Sequence, residues 1–160
     1  MTTYTAVVAV VAPRESVWRV LSDVVAWPDW LSTVDSVQAL DASDLHIGFR
    51  YVVRQPGLRP TTWVVTQLDP PDRFVWQARS PGLSMVAEHI IEEDSPGECN
   101  VTLRFSFAGL LGVPLGRLLR SITQQYLGRE AACLKGEAER HNERSLSRTT
   151  RPCPPGSSDS

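Results

Sequence analysis

The sequence has 160 residues, of which 42% are hydrophobic and 21% are charged, and its formal net charge is −2. A chain of this length is typical of one domain and buries enough surface to form a core without metals or disulfides. The nearly balanced charge argues against nucleic acid as a partner, because phosphate binding requires a concentrated positive field.

The first predicted elements are one strand and two short helices. Residues 3–12 are rich in Thr and Val, which favours a strand. Pro13 suits the first turn of a helix, which continues amphipathically to about Asp23. Pro28 suits the first turn of a second short helix that begins near Trp27.

Residues 34–109 change to a period of two, which indicates a series of strands. Short polar turns containing Pro or Gly separate these strands, so neighbouring strands should pair antiparallel in a meander. With the strand at the N-terminus, the predicted sheet has seven strands. The six strands of the meander are predicted over residues 34–40, 47–55, 61–68, 74–80, 83–92 and 99–107.

The last predicted element is a long helix from Gly112 to about Glu139. Its apolar residues recur at spacings of three and four, and a helix of this length spans roughly 40 Å, enough to cross the sheet. The glycines of residues 109–116 indicate either a flexible entry to this helix or a lid. Residues 142–160 are rich in Arg, Ser and Pro and lack periodicity. We therefore expect a domain over residues 1–141 and a disordered tail over residues 142–160.

This order of elements predicts an α+β helix-grip fold, in which a curved antiparallel sheet wraps around the long C-terminal helix. The sheet must bury one face, and the long helix is the only element large enough to cover it. A strongly curved sheet leaves space that side chains do not fill. We therefore expect an apolar cavity between sheet and helix that binds a hydrophobic small molecule.

Several short motifs occur in a fixed order over about residues 3–140. They are Ala12-Pro13, Val17-Trp18, Trp27-Pro28-Asp29-Trp30, Gly48-Phe49-Arg50, Val65-Thr66-Gln67-Leu68-Asp69-Pro70-Pro71, Phe74-Val75-Trp76 and Phe107-Ala108-Gly109. Together they resemble the SRPBCC superfamily, which groups START lipid-transfer domains, plant pathogenesis-related allergens and polyketide cyclases. The sequence looks most like the bacterial polyketide cyclase/dehydrase-type branch.

The resemblance implies two alternative functions. The chain either binds a polyketide- or lipid-like molecule, or acts as a polyketide cyclase or dehydratase of natural-product biosynthesis. In aromatase/cyclase members, one strand carries a small hydroxyl residue and an arginine two positions apart, where this sequence holds Val65 and Gln67. The arginine that would polarise a polyketide carbonyl is missing, which argues against ring-closing aromatase chemistry and leaves another cyclisation or a dehydration open.

Strand alternation predicts which side chains face the helix and line the cavity. His89 is the only histidine in the predicted sheet interior; it either faces the cavity as an acid–base catalyst or is a structural residue with its ring nitrogens bonded to neighbours. Gln67 and Gln77 are predicted as polar groups in an apolar wall, unless they lie at solvated strand ends. The complete set of predicted ligand-binding residues is Trp27, Tyr51, Trp63, Gln67, Gln77, Met85, Leu103, Phe105, Ile122 and Tyr126.

Cysteine usage and motifs bound the cofactors, the compartment and the partners. Cys99, Cys133 and Cys153 show no metal-ligand spacing, and free thiols suit a reducing cytoplasm. Phosphate-binding, dinucleotide-binding and zinc-protease motifs do not occur, so we expect no cofactor and no metal. The apolar run of residues 6–12 is too short to span a membrane. The expected partner is a hydrophobic small molecule bound by a monomer or a homodimer, and docking of another protein on the apolar helix face is a more distant alternative.

Overall fold

Alternating apolar residues form six consecutive strands in the middle of the chain, and a seventh strand lies near the N-terminus. The computed structural model describes residues 1–150. Within that range the strands are β1 (Thr2–Val10), β2 (Ser36–Ala39), β3 (Arg50–Arg54), β4 (Thr61–Asp69), β5 (Arg73–Ser80), β6 (Leu83–Ser95) and β7 (Glu98–Ala108). The helices are α1 (Arg14–Ser22), α2 (Trp27–Trp30), α3 (Gly112–Leu118) and α4 (Arg120–Thr149), with a short 3-10 turn at Val24–Ala26.

The strands form one sheet in the order β1-β7-β6-β5-β4-β3-β2, and every neighbouring pair is antiparallel. Consecutive strands from β2 to β7 are therefore joined as hairpins, and β1 pairs with β7 at the far edge. The predicted seven-stranded antiparallel sheet, the two short helices after the first strand and the long C-terminal helix are confirmed. The strands β2 and β3 have only four and five residues, so they are shorter than the strands predicted at residues 34–40 and 47–55.

The predicted single helix from Gly112 is two helices, because Leu119 leaves the helical region with φ −91° and ψ 11°. The glycines of α3 are positions of close packing. An added Cβ at Gly112 would lie 3.0 Å from the carbonyl carbon of Phe107, and one at Gly116 would lie 2.9 Å from the Cβ of Thr2. Close packing against β1 and β7 therefore explains these two glycines, rather than flexible entry or a lid.

The prediction of a disordered tail from residue 142 is wrong for residues 142–149, which continue α4 to Thr149. Hydroxyl groups in this segment bond back to carbonyl oxygens one turn earlier, as Ser145 does to His141 and Ser147 to Glu143. Arg144 pairs with Glu137, so the segment is stabilised locally without an apolar face. The remaining part of the predicted tail, residues 151–160, lies outside the described residues.

The core lies between α4 and the face of the sheet that we call the inner face, which carries Trp63, Trp76, His89 and Leu103. Four residues of α4 are buried at spacings of four, three and four: Leu127, Ala131, Leu134 and Ala138. This stripe packs against β1, β7 and α1. In residues 1–150, no helix has an apolar stretch of the length that crossing a membrane requires.

Candidate functional site

Side chains do not completely fill the space between the sheet and the helices α3 and α4. A cavity of about 650 Å³ lies between the inner face of the sheet and the junction of α3 with α4. Its walls come from the β3–β4 connection, from β4 to β7 and from both helices. The lining residues include Leu58, Arg59, Trp63, Ala78, Arg79, Met85, Phe105, Leu115, Leu119, Ile122, Thr123, Tyr126 and Glu130.

Five of the residues predicted from the sequence line this cavity. Met85 and Phe105 lie on long strands whose alternation is regular, and Trp63 lies on β4 before that strand becomes irregular. Ile122 and Tyr126 are one turn apart on the α4 face that points to the sheet. Contact of these five side chains with a ligand remains a prediction.

The expectation that Gln67 lines the cavity is wrong. Val65 pairs with Trp76 and Gln67 pairs with Val75, so Thr66 is an extra residue in β4 and forms a β-bulge. A bulge shifts the alternation by one residue, and the two side chains that flank it then point to opposite faces. Val65 is therefore buried on the inner face, whereas Gln67 is exposed on the outer face.

The expectation for Gln77 is wrong for a different reason. Phe74, Trp76 and Ala78 form the inner row of β5, so Gln77 lies on the outer face, where its amide donates to the hydroxyl of Ser84. The ring of Trp76 reaches the inner face together with that of Trp63, and their centroids are 5.4 Å apart.

Three further predicted ligand-binding residues lie in the core rather than in the cavity wall. Trp27 donates its indole N–H to the carbonyl of Leu21 and packs against Trp76, so it is not at the cavity mouth. Tyr51 is fully buried, and its hydroxyl donates to the carbonyl of Asp44. Leu103 is buried and pairs with His89 across β6 and β7. All three lie in a filled part of the core, which the sequence did not separate from the cavity region.

His89 faces the inner side, as the alternation predicts, but it does not line the cavity. The residue is only 3% exposed, and its ring stacks on Phe74 with a centroid distance of 4.2 Å. Its Nε2 lies 3.1 Å from Oε1 of Glu130, a residue of α4 that does line the cavity. His89 therefore reaches the cavity through Glu130, and a role in catalysis remains a prediction.

The sequence interpretation missed Glu130 and several apolar lining residues. Leu115 and Leu119 belong to the apolar series that predicted the last helix, so the signal for them was present. Glu130 lies four residues after Tyr126, which places both on one helix face. That spacing was the available signal, but the pairing of Glu130 with His89 joins residues far apart in sequence and has no local pattern.

The cavity also has polar lining residues. Arg59 and Arg79 lie at the rim and are exposed, and Arg79 donates to the side-chain oxygen of Gln77. The hydroxyl of Tyr126 donates to the carbonyl of Pro56 at 3.0 Å, which ties α4 to the β3–β4 connection. The cavity thus has apolar walls and a basic rim, and the hydrogen bond from Tyr126 to Pro56 joins two of its walls.

A second, smaller hollow of about 340 Å³ lies between α1 and the β2–β3 connection, lined by residues such as Trp18, Asp23, Asp44 and Leu68. It is more open, and Trp18 is the one aromatic residue that lines it in the described part of the chain. In the described part of the chain, no group of three or more His, Cys, Asp or Glu side chains is arranged to hold a metal ion.

A curved antiparallel sheet around a long helix, with an apolar cavity between them, defines a helix-grip protein. The chain belongs to the family described as polyketide cyclase / dehydrase and lipid transport, whose model matches residues 1–139. The resemblance to the SRPBCC superfamily is thereby confirmed. Membership in this family supports binding of a hydrophobic ligand or a polyketide cyclase role. A search of the curated proteins finds no match to the sequence.

Solved structures with the same fold include both enzymes and a START protein. The Zhui aromatase/cyclase from Streptomyces sp. R1128 is 21% identical with a TM-score of 0.68, and the match covers 87% of this chain and 94% of that one. Norcoclaurine synthase from Thalictrum flavum is 14% identical with a TM-score of 0.68, over 84% of each chain. A START superfamily protein from Mycobacterium smegmatis is 17% identical with a TM-score of 0.67, over 86% of this chain and 97% of its own. At these identities the likeness is one of fold.

Proposed function

We propose that this protein binds a hydrophobic small molecule, of polyketide or lipid-like type, in the cavity between the sheet and α3 and α4. The observation that carries the proposal is the cavity itself: about 650 Å³, with walls that include Trp63, Met85 and Phe105. This volume lies within the range of roughly 300–1,000 Å³ that small-molecule sites occupy, and such sites combine apolar walls with few polar groups.

A pair of tryptophan variants tests this proposal. Thr123 lines the cavity, whereas its neighbour Gln124 is exposed on the same helix. Thr123→Trp should fill part of the cavity, and Gln124→Trp adds the same side chain where it meets solvent. Native mass spectrometry of the purified proteins and titration with 8-anilinonaphthalene-1-sulfonate measure binding. We expect weaker binding in Thr123→Trp alone, and equal binding in both variants would place the ligand elsewhere.

A second candidate function is that of a polyketide cyclase or dehydratase. The observation that favours it is the carboxylate of Glu130, which lies in the cavity wall and is held by His89. A positioned carboxylate at a closed apolar site can remove a proton from a carbon next to a carbonyl group. Incubation with a linear poly-β-ketone thioester, followed by mass spectrometry, should then show a cyclic or dehydrated product with the wild type and much less with Glu130→Gln.

Two further parts of the proposal concern the compartment of the protein and its partners. Cys99 and Cys133 are both free thiols, and burial raises the pKa of the Cys99 thiol, which keeps it protonated and unreactive. Free thiols suit a cytoplasmic protein. We also propose that the protein is a monomer or a homodimer. Because its net charge is −2, we propose that it does not bind nucleic acid. Sedimentation with and without a DNA duplex tests both statements.

A further inference from the structure

The cavity contains one carboxylate that the fold holds in a fixed position. Glu130 is the only acidic residue among the lining residues in the described chain, and its side chain is 17% exposed. Its backbone lies on α4, three residues after the buried Leu127 and one before the buried Ala131. A carboxylate at this place faces apolar walls and has little access to water. Such a group is stable only when hydrogen-bond donors satisfy its oxygens.

His89 supplies one of those donors. Its Nε2 lies 3.1 Å from Oε1 of Glu130, and its Nδ1 is buried without a partner. The ring is packed among aromatic side chains, stacked on Phe74 and 5.5 Å from the ring centroid of Trp27. A charged imidazolium would leave a second N–H donor unpaired in these surroundings. The geometry places a donor at Nε2 of His89, which donates to Oε1 of Glu130.

The second carboxylate oxygen remains for a ligand. Oε2 of Glu130 makes no hydrogen bond to residues 1–150, yet it is not among the buried polar atoms that lack a partner. No lysine or arginine in that range forms an ion pair with Glu130. One oxygen of Glu130 is thus anchored by His89, and the other is accessible to whatever enters the cavity.

We propose that Glu130, held in place by His89, selects aromatic ligands that carry a hydroxyl group. The hydroxyl donates to Oε2 of Glu130, and the rings of Trp63 and Phe105 receive the apolar part of the ligand. A ligand carboxylate would be repelled at the same place, and a ligand with a methyl group there would leave the oxygen unpaired. This inference rests on the proposed binding function and adds the chemical group by which the site distinguishes ligands.

Three probes of similar size test the inference: 2-naphthol, 2-methylnaphthalene and 2-naphthoate. Their affinities are measured at pH 7 by fluorescence titration of the full chain. A hydrogen bond to a charged group corresponds to about tenfold or more in affinity. The wild type should therefore prefer 2-naphthol over 2-methylnaphthalene by at least about that factor and should bind 2-naphthoate more weakly than either.

Two variants and a matched control test whether Glu130 and His89 cause the preference for 2-naphthol. Glu130→Gln should lose most of the preference for 2-naphthol and relieve the rejection of 2-naphthoate, while 2-methylnaphthalene binding stays close to that of the wild type. His89→Phe should reduce the preference for 2-naphthol, because the carboxylate loses the donor that fixes Oε1. Glu137→Gln is the control, since Glu137 lies on the same helix outside the cavity and pairs with Arg140.

The possible outcomes separate this inference from the proposed function. If the wild type binds none of the probes, the inferred selection of aromatic ligands is refuted, and the Thr123→Trp comparison still decides whether the cavity binds a hydrophobic molecule. If it binds 2-naphthol and 2-methylnaphthalene equally, or if Glu130→Gln keeps the wild-type preference, the role of Glu130 is refuted and the cavity remains a binding site. Should a variant fail to fold by circular dichroism, the order of the three probes on the wild type still decides whether a hydroxyl is preferred.

Discussion

The close packing of α3 against the sheet predicts different effects for the same substitution at two helical glycines. In α3, a Cβ at Gly116 would lie 2.9 Å from the Cβ of Thr2 and 3.1 Å from a ring carbon of Phe107. In α4, a Cβ at Gly128 would meet no atom within 4 Å. Both residues lie within helices, so the intrinsic gain from replacing glycine by alanine is similar, about 1 kcal/mol.

The cost of close packing at each site then decides whether the substitution raises or lowers the free energy of unfolding. Overfilling a close contact costs about 1–3 kcal/mol, and Thr2 cannot give way easily because its Cβ is fixed to strand β1. Gly116→Ala should therefore leave the free energy of unfolding unchanged or lower it by up to about 2 kcal/mol. Gly128→Ala should raise it by about 1 kcal/mol. At about 2–4 °C per kcal/mol for a chain of this size, Gly128→Ala should raise Tm by about 2–4 °C.

Urea denaturation followed by far-ultraviolet circular dichroism measures both variants. Because Leu115 lines the cavity next to Gly116, the Gly116→Ala variant should also change the affinity for 2-naphthol. The reasoning would be refuted if Gly116→Ala stabilised the protein as much as Gly128→Ala does. That result would mean that α3 does not pack on β1 and β7 as closely as the structure shows.

Three other predictions concern α4. Truncation after His141 should change Tm by no more than a degree or two, since the buried residues of the helix end before it; a loss of many degrees would show that residues 142–160 pack on the domain. Leu134→Ala, at a fully buried position, should lower the free energy of unfolding in urea by about 2–5 kcal/mol, whereas Leu146→Ala, at a position that is 60% exposed, should change it by about 0.5 kcal/mol or less. Tyr126→Phe removes the hydrogen bond to Pro56 and should speed dissociation of 2-naphthol about two- to tenfold in stopped-flow fluorescence; an unchanged rate would mean that this contact does not limit exit.

Regular patterns made most of the fold predictable. Period-two alternation gave the strands and their order, and the spacing of apolar residues gave the last helix. Met85 and Phe105 were assigned to the cavity correctly, because their strands alternate without interruption through that region. Ile122 and Tyr126 followed from helical spacing in the same way. The cavity residues that the sequence predicted are therefore those on elements with an undisturbed period.

The incorrect predictions have identifiable physical causes. In β5, Val75 is buried together with its neighbours Phe74 and Trp76, and this run of three apolar residues obscured the alternation. The polar residues Arg73, Gln77 and Arg79 mark the outer row, so the signal for the correct parity was present. The pairing of His89 with Glu130 depends on how α4 crosses the sheet, and no local pattern encodes that crossing. The helical continuation beyond His141 has an ion pair to Glu137 and no apolar face, so a search for apolar periodicity does not detect it.

The bulge at Thr66 limits what can be transplanted into this protein. Counting along β4 from Val65 places the arginine of aromatase/cyclase relatives at Gln67, as the sequence resemblance implies. Because the bulge inserts one residue, a side chain at that position projects into solvent on the outer face. A Gln67→Arg substitution would therefore leave its guanidinium outside the cavity, however well the sequences align. In this sheet, a functional group must be grafted by the direction of the side chain and not by its place in the alignment.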